Sequence, residues 1–99
     1  MRPVVTHREA SDELVAAALF YEQQVTGLGA DFLRRYDDLI TAIRKRPGHW
    51  RVVKNHIRKA RMIRFPYAVY FELLTEHIQI YAVAHQHRRP LYWISRANE

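Results

Sequence analysis

Hydrophobic positions in the first third of the chain repeat at helical spacing. The stripe consists of Ala10, Leu14, Ala17, Tyr21 and Val25, with Ala18 beside it. This spacing predicts an amphipathic helix. Thr6 and Glu9 have the spacing of a capping box, which places the start of the helix there. Gly27 and Gly29 are expected to end it.

A second apolar stripe follows almost at once. It consists of Phe32, Tyr36, Leu39, Ile40 and Ile43, and Pro47-Gly48 ends the segment. Only a few residues separate the two predicted helices, so we expect them to form an antiparallel hairpin.

The second half of the chain changes to strand-like segments. Ala68–Leu74 ("AVYFELL") and Ile78–Ala84 ("IQIYAVA") are rich in β-branched and aromatic residues, and residues 57–65 ("IRKARMIRF") alternate less regularly. Val4–Thr6 is a further short strand, and the tail from Pro90 is expected to form a short helix. The pattern predicts one α+β domain over residues 1–99, in which a helical hairpin packs on one face of a small, mainly antiparallel sheet.

The last strand ends in an unusual run of polar residues, "HQHRRP". Strict alternation predicts that Ile78, Ile80, Ala82 and Ala84 lie beneath the helices. Tyr81 and His85 then belong to the opposite face, which this arrangement leaves bare. Strand ends commonly display functional side chains, because the sheet holds them while the end stays open to solvent.

Charge is distributed unevenly along the chain. The net charge is +6, and no acidic residue occurs between Leu39 and Phe71, a stretch that contains nine lysines and arginines. Such a basic half indicates an anionic partner, either nucleic acid or an acidic protein. The chain has no cysteine and no apolar run long enough for a membrane span, so we expect a cytoplasmic protein without disulfides or membrane contact.

The basic side chains and nearby aromatic rings are expected to converge at the end of the sheet. The candidate binding residues are Arg58, Lys59, Arg61, Arg64, His87, Arg88, Arg89 and Trp93. If the site cleaves RNA, the candidate catalytic residues are His85, Arg88, Tyr92 and Arg64. Histidine transfers protons near neutral pH and arginine stabilises a developing phosphorane, while aromatic rings stack on bases.

Three interpretations of this cluster remain open from the residues alone. The cluster is a ribonuclease site, or a docking surface at which no bond is broken, or a metal site built on His85 and His87. The metal is disfavoured, because no carboxylate lies nearby in sequence and the surrounding cations repel one. No cofactor is expected. A histidine at a strand end is also often purely structural.

Four segments, in this order and spacing, resemble the RelE/ParE superfamily of toxins from type II toxin–antitoxin systems. They read "YEQQVTGLGADFL", "IRKRPGHW", "RFPYAVYFEL" and "IYAVAHQHRRPLYW", and the resemblance runs from Glu9 to Arg96. It is closest to the ParE-like, plasmid-stabilisation branch. It implies the α+β layout described above and a cognate antitoxin that binds and neutralises the chain.

The resemblance also implies a target, which differs between branches. ParE-like members inhibit DNA gyrase by binding, whereas RelE-like members are metal-independent endonucleases that cut mRNA on the ribosome. RelE-like nucleases carry an arginine where this chain has Ala68, and often one where it has Gln86. We therefore expect gyrase inhibition, with ribosome-dependent mRNA cleavage as the alternative. A family member that binds antitoxin without being toxic is a third possibility.

Overall fold

The computed structural model describes all 99 residues as one α+β unit. The strands are β1 (Val4–Thr6), β2 (Val52–Lys54), β3 (Ile57–Arg61), β4 (Tyr67–Leu73) and β5 (Ile78–His85); the helices are α1 (Arg8–Gln24) and α2 (Leu28–Lys45). Short 3₁₀ turns cover Pro47–His49 and Ile94–Asn98. Neither helix combines the length and the apolar character that crossing a membrane would require.

The five strands form one mixed sheet in the order β1-β5-β4-β3-β2. β2, β3, β4 and β5 pair antiparallel with one another, whereas β1 pairs in parallel with the first half of β5. The predicted α+β layout is confirmed. β2 was not predicted, and β3 ends at Arg61 rather than continuing to Phe65, because a turn with Arg64 at φ +76° leads into β4.

The predicted limits of the two helices need correction at one end each. Thr6 belongs to β1, and His7 caps α1 instead: its Nδ1 accepts a hydrogen bond from the Glu9 amide at 3.1 Å. Gly27 is left-handed at φ +90° and separates the helices. Gly29 does not end a helix, as had been predicted, but lies inside α2, where it allows the two helices to approach closely.

The main core lies between the helical hairpin and the sheet. Both predicted stripes contribute to it, α1 mainly through Ala10, Ala17 and Ala18. The only member of these stripes that lies on the surface is Val25, which is exposed because α1 has already ended.

A second, smaller core covers part of the opposite face of the sheet. Trp93 is its centre, with 1% of its surface exposed, and it packs with Ile57, Tyr81 and Ala82. The C-terminal segment that carries it is a series of turns ending in a 3₁₀ helix. The helices leave this face free, as predicted, and the tail covers part of it through Trp93.

A bulge in β5 changes which side chains face the helices. Tyr70 pairs with Ala82 but the next residue, Phe71, pairs with Ile80, so Tyr81 is an extra residue. Ile78 and Ile80 lie beneath the helices as predicted, but beyond the bulge it is Val83 that does so. Ala82 packs against Trp93, and Ala84 lies on the same side of the sheet as Trp93. The faces predicted for Ala82, Ala84 and His85 are therefore reversed, because strict alternation fails at a bulge.

Candidate functional site, a basic cleft at the end of the sheet

An open cleft of about 640 Å³ lies where β3, β4 and β5 meet the segment 86–93. We call it the basic cleft. Its basic lining side chains are Lys59, Arg61, His85, His87, Arg88 and Arg89, and its aromatic ones include Tyr67, Tyr70, Tyr92 and Trp93. The structure thus brings together, around one cavity, most of the residues that the sequence proposed.

Two of the proposed cations lie elsewhere. Side chains alternate along β3, so Lys59 and Arg61 line the cleft while Arg58 points to the other face, where its Nη1 donates to the Trp50 carbonyl at 2.7 Å. Arg64 lies in the exposed turn after β3, with its guanidinium 5.9 Å from the centre of the Phe65 ring. Neither side chain lines the basic cleft.

The cations of the cleft have no negative partners. The ion pairs of the protein involve Arg34 and Arg96, and neither these nor the contact between His7 and Glu99 involves a cleft residue. Lys59 instead lies with its Nζ 5.7 Å from the centre of the Tyr70 ring. An uncompensated group of cations in a concave surface concentrates positive potential, so the cleft is suited to an anionic ligand.

His85 lies half-exposed at the end of β5, with its ring 5.1 Å from Tyr67 and 5.2 Å from His87. Its Nδ1 accepts a hydrogen bond from the His87 backbone amide at 3.1 Å. A backbone N–H can only donate, so the proton of the neutral ring must be on Nε2. In this arrangement Nε2 is a hydrogen-bond donor rather than a base.

Tyr92 is held on the side of the cleft nearest α1. Its ring lies 3.8 Å from the Arg88 guanidinium, a cation–π contact, and its hydroxyl donates to Glu13 Oε2 at 2.7 Å. Burial raises the pKa of Tyr92 above its ordinary range, and the hydrogen bond to Glu13 raises it further. The phenol is thus engaged and held in its neutral form.

Trp93 touches the cleft but is packed into the second core. Its ring lies 4.7 Å from that of Tyr70 and is almost fully buried. It shapes the wall of the cleft, whereas a base that stacks on a protein needs an exposed ring face.

Glu13 is the residue beside the cleft that sequence reasoning missed. Burial by itself would raise the pKa of Glu13, but hydrogen bonds from Arg96, Tyr92 and the Val83 amide outweigh it, so the pKa is lowered. Its partners are 70 to 83 residues away along the chain. The only local signal was its place on α1 next to the apolar stripe.

The chain has one cluster of side chains with metal-ligating atoms close together: His7, Glu9 and Glu99. His7 caps α1 through Nδ1, so its proton is on Nε2, which contacts Glu99 Oε1 at 2.5 Å. A metal at Nε2 would displace that proton while Nδ1 still accepts from the Glu9 amide. The cluster therefore suits a hydrogen bond better than a metal ion.

The chain is similar to a solved chain described as the chromosomal ParDE TA system from P. aeruginosa, with a TM-score of 0.64 and 20% identity over 86% of this chain and 96% of that chain. No family model matches the chain, and no curated protein gives a significant match. The likeness confirms the fold that the resemblance predicted.

Proposed function

We propose that the chain is the toxin of a type II toxin–antitoxin system and is neutralised by a cognate antitoxin. Two findings support this. The fold is similar to a chain of a ParDE TA system, and the basic cleft gathers cations without negative partners. An antitoxin with an acidic or amphipathic segment would complement such a surface.

For the action of the toxin we propose ParE-like inhibition of DNA gyrase by binding. This choice rests on the hydrogen bonding of His85, which is the only histidine among the four candidate catalytic residues. Its Nδ1 is occupied by the His87 amide, so the ring is arranged to donate a hydrogen bond rather than to remove a proton from a ribose hydroxyl. Ala68 lines the cleft at the position where the nuclease motif has an arginine.

RelE-like cleavage of mRNA on the ribosome is the second candidate. Lys59, Arg61 and Arg88 line the same cavity as His85, and such cations would hold a phosphate backbone. The reaction would require the His85 ring to give up its bond to the His87 amide and to move its proton to Nδ1.

The test is controlled expression of the chain in bacteria, with two readouts taken early. Plasmid supercoiling, together with a gyrase assay using purified chain, reports the first candidate. Mapping of mRNA 5′ ends reports the second. Loss of supercoiling before any change in mRNA supports gyrase inhibition, whereas new mRNA ends at intact supercoiling would establish cleavage instead. Growth without arrest in the absence of antitoxin would show a binding protein that is not toxic.

A single substitution separates docking from chemistry. We expect His85→Ala to weaken growth arrest only modestly, since one contact at the rim of an interface contributes about 1 kcal/mol, or roughly fivefold in affinity. Complete loss of arrest would indicate that the ring takes part in a reaction. The matched control is His56→Ala, which changes an exposed histidine in the β2–β3 turn, outside the cleft.

Neutralisation is tested separately by the reading frame that neighbours the gene. We expect it to encode a small protein whose co-expression prevents growth arrest and which co-purifies with the chain. A neighbouring product that neither binds nor protects would argue against the toxin–antitoxin assignment.

A further inference from the structure

A carboxylate of α1 connects three parts of the molecule at one point. Glu13 accepts the Val83 amide at 3.0 Å on Oε1 and the Tyr92 hydroxyl at 2.7 Å on Oε2. Arg96 donates to both of its oxygens, at 3.0 Å each. One side chain thereby joins α1, the edge of β5 and the C-terminal segment.

The position of β1 explains why a side chain is needed there. β1 pairs only with Ile78 to Ile80, so the edge of β5 beyond Ile80 has no neighbouring strand. Val83 and Tyr81 are buried, and unpaired backbone groups at such positions are costly. Glu13 accepts the Val83 amide, and Arg96 donates to the Tyr81 carbonyl at 2.9 Å. The two side chains replace the missing strand.

The same carboxylate also determines where a cleft cation lies. Arg88 is exposed and belongs to the irregular segment after β5, where no ion pair holds its side chain. What holds its guanidinium is the Tyr92 ring, 3.8 Å away. The hydroxyl of that ring is bound by Glu13, so the contacts run from Glu13 through Tyr92 to Arg88.

We propose that Glu13 is a positioning residue of the basic cleft, which fixes the Tyr92 ring and through it the guanidinium of Arg88 at the side of the cleft nearest α1. The proposal rests on the proposed function in one respect, namely that the cleft is the surface used by the toxin. The order of Arg88 itself is independent of that use and can be measured without it.

The decisive variant is Glu13→Gln, which keeps the shape of the side chain and removes its charge. Asp12→Asn is the matched control: it removes the same charge from the neighbouring residue of α1, where Asp12 is exposed and makes no ion pair or hydrogen bond. Tyr92→Phe is the second variant. It removes only the hydroxyl and leaves Glu13 paired with Arg96, so it is expected to fold even if Glu13→Gln does not.

The first readout is the NMR signal of the Arg88 side chain in the purified full chain. A guanidinium stacked on an aromatic ring gives side-chain protons shifted upfield. We expect this shift in the wild type and in Asp12→Asn, and its loss in Glu13→Gln and Tyr92→Phe. An Arg88 signal that stays shifted in both of these variants overturns the proposal.

The second readout is growth arrest, measured as the inducer concentration that halves growth. We expect Glu13→Gln to raise this concentration, and to have no further effect in an Arg88→Ala background, because both substitutions act on one contact. Additive losses in the double variant, together with an Arg88 signal that is unchanged in the single variant Glu13→Gln, would show a stability effect and overturn the proposal. If Arg88→Ala alone leaves arrest intact, the use of Arg88 by the toxin is refuted, and the NMR result still decides the role of Glu13.

Discussion

Replacing Gly29 with alanine is expected to destabilise the protein, although alanine is the better helix former. Gly29 lies in the first turn of α2, pressed against α1. A Cβ at this position would lie 2.5 Å from the Ala18 carbonyl oxygen and 3.0 Å from the Cβ of Glu22. The first of these is a backbone atom, which cannot turn aside as a side chain can.

The size of the effect follows from two opposing contributions. Alanine gains up to about 1 kcal/mol over glycine in a helix interior. Relieving the clash requires the helices to separate by about 1 Å, which forfeits roughly a quarter to a half of the dispersion energy of the affected contacts. Overpacking of this kind costs about 1–3 kcal/mol. We expect a net loss of about 1–2 kcal/mol, which lowers Tm by roughly 5–15 °C in a domain of this size.

Thermal and urea unfolding, followed by circular dichroism, measure this loss. Gly48→Ala is the matched control, because a Cβ there meets no atom within 4 Å. We expect Gly48→Ala to change Tm by much less than Gly29→Ala. A Gly29→Ala protein as stable as the wild type, or more stable, would refute the close approach of α1 and α2.

Three further predictions concern Trp93 in the tail, the Glu13 carboxylate that binds the tail, and the basic cleft. Trp93→Ala should lower the free energy of unfolding by about 3–5 kcal/mol in urea titrations, because the ring is almost fully buried, and by more than the half-buried Trp50→Ala. The pKa of Glu13 is lowered from the ordinary value of 4.5, so the ionised carboxylate stabilises the fold above pH 4.5. This contribution is lost as the pH falls below that value. Tm in the acid range should therefore depend less steeply on pH in Glu13→Gln than in the wild type. Arg61→Ala should raise the inducer concentration for growth arrest while Arg64→Ala leaves it unchanged, since only Arg61 lines the cleft; equal effects would contradict this placement.

The sequence was most informative where one face of an element is apolar and the other is not. In α2 the stripe from Phe32 to Ile43 is clearly one-sided, and the helix forms as predicted. β5 carries apolar side chains on both faces, so its pattern could not reveal that Tyr81 is an extra residue. The prediction placed His85 correctly at the strand end but on the wrong face.

In the candidate site, too, a local pattern in the sequence could place some residues and not others. Lys59 and Arg61 could be placed together from their alternation, and Arg88 from its position just after the last strand. The same alternation along β3 puts Arg58 on the other face, although the prediction had grouped it with Lys59 and Arg61. Glu13 could not have been found, because its role depends on contacts with residues at the other end of the chain, and no local pattern encodes the path of an irregular tail.

The order of the elements along the chain has a consequence for biosynthesis. α1 and α2 are translated before the residues they pack against: Phe32 of α2 contacts the rings of Phe65 and Tyr67, and α1 contacts β5. The nascent hairpin therefore exposes an apolar surface until β3, β4 and β5 have emerged. β1 waits longest, since its partner in the sheet is the last strand to be made. Complete folding of the sheet therefore waits until β5 has been made, and binding of a chaperone to the hairpin would be most useful during that delay.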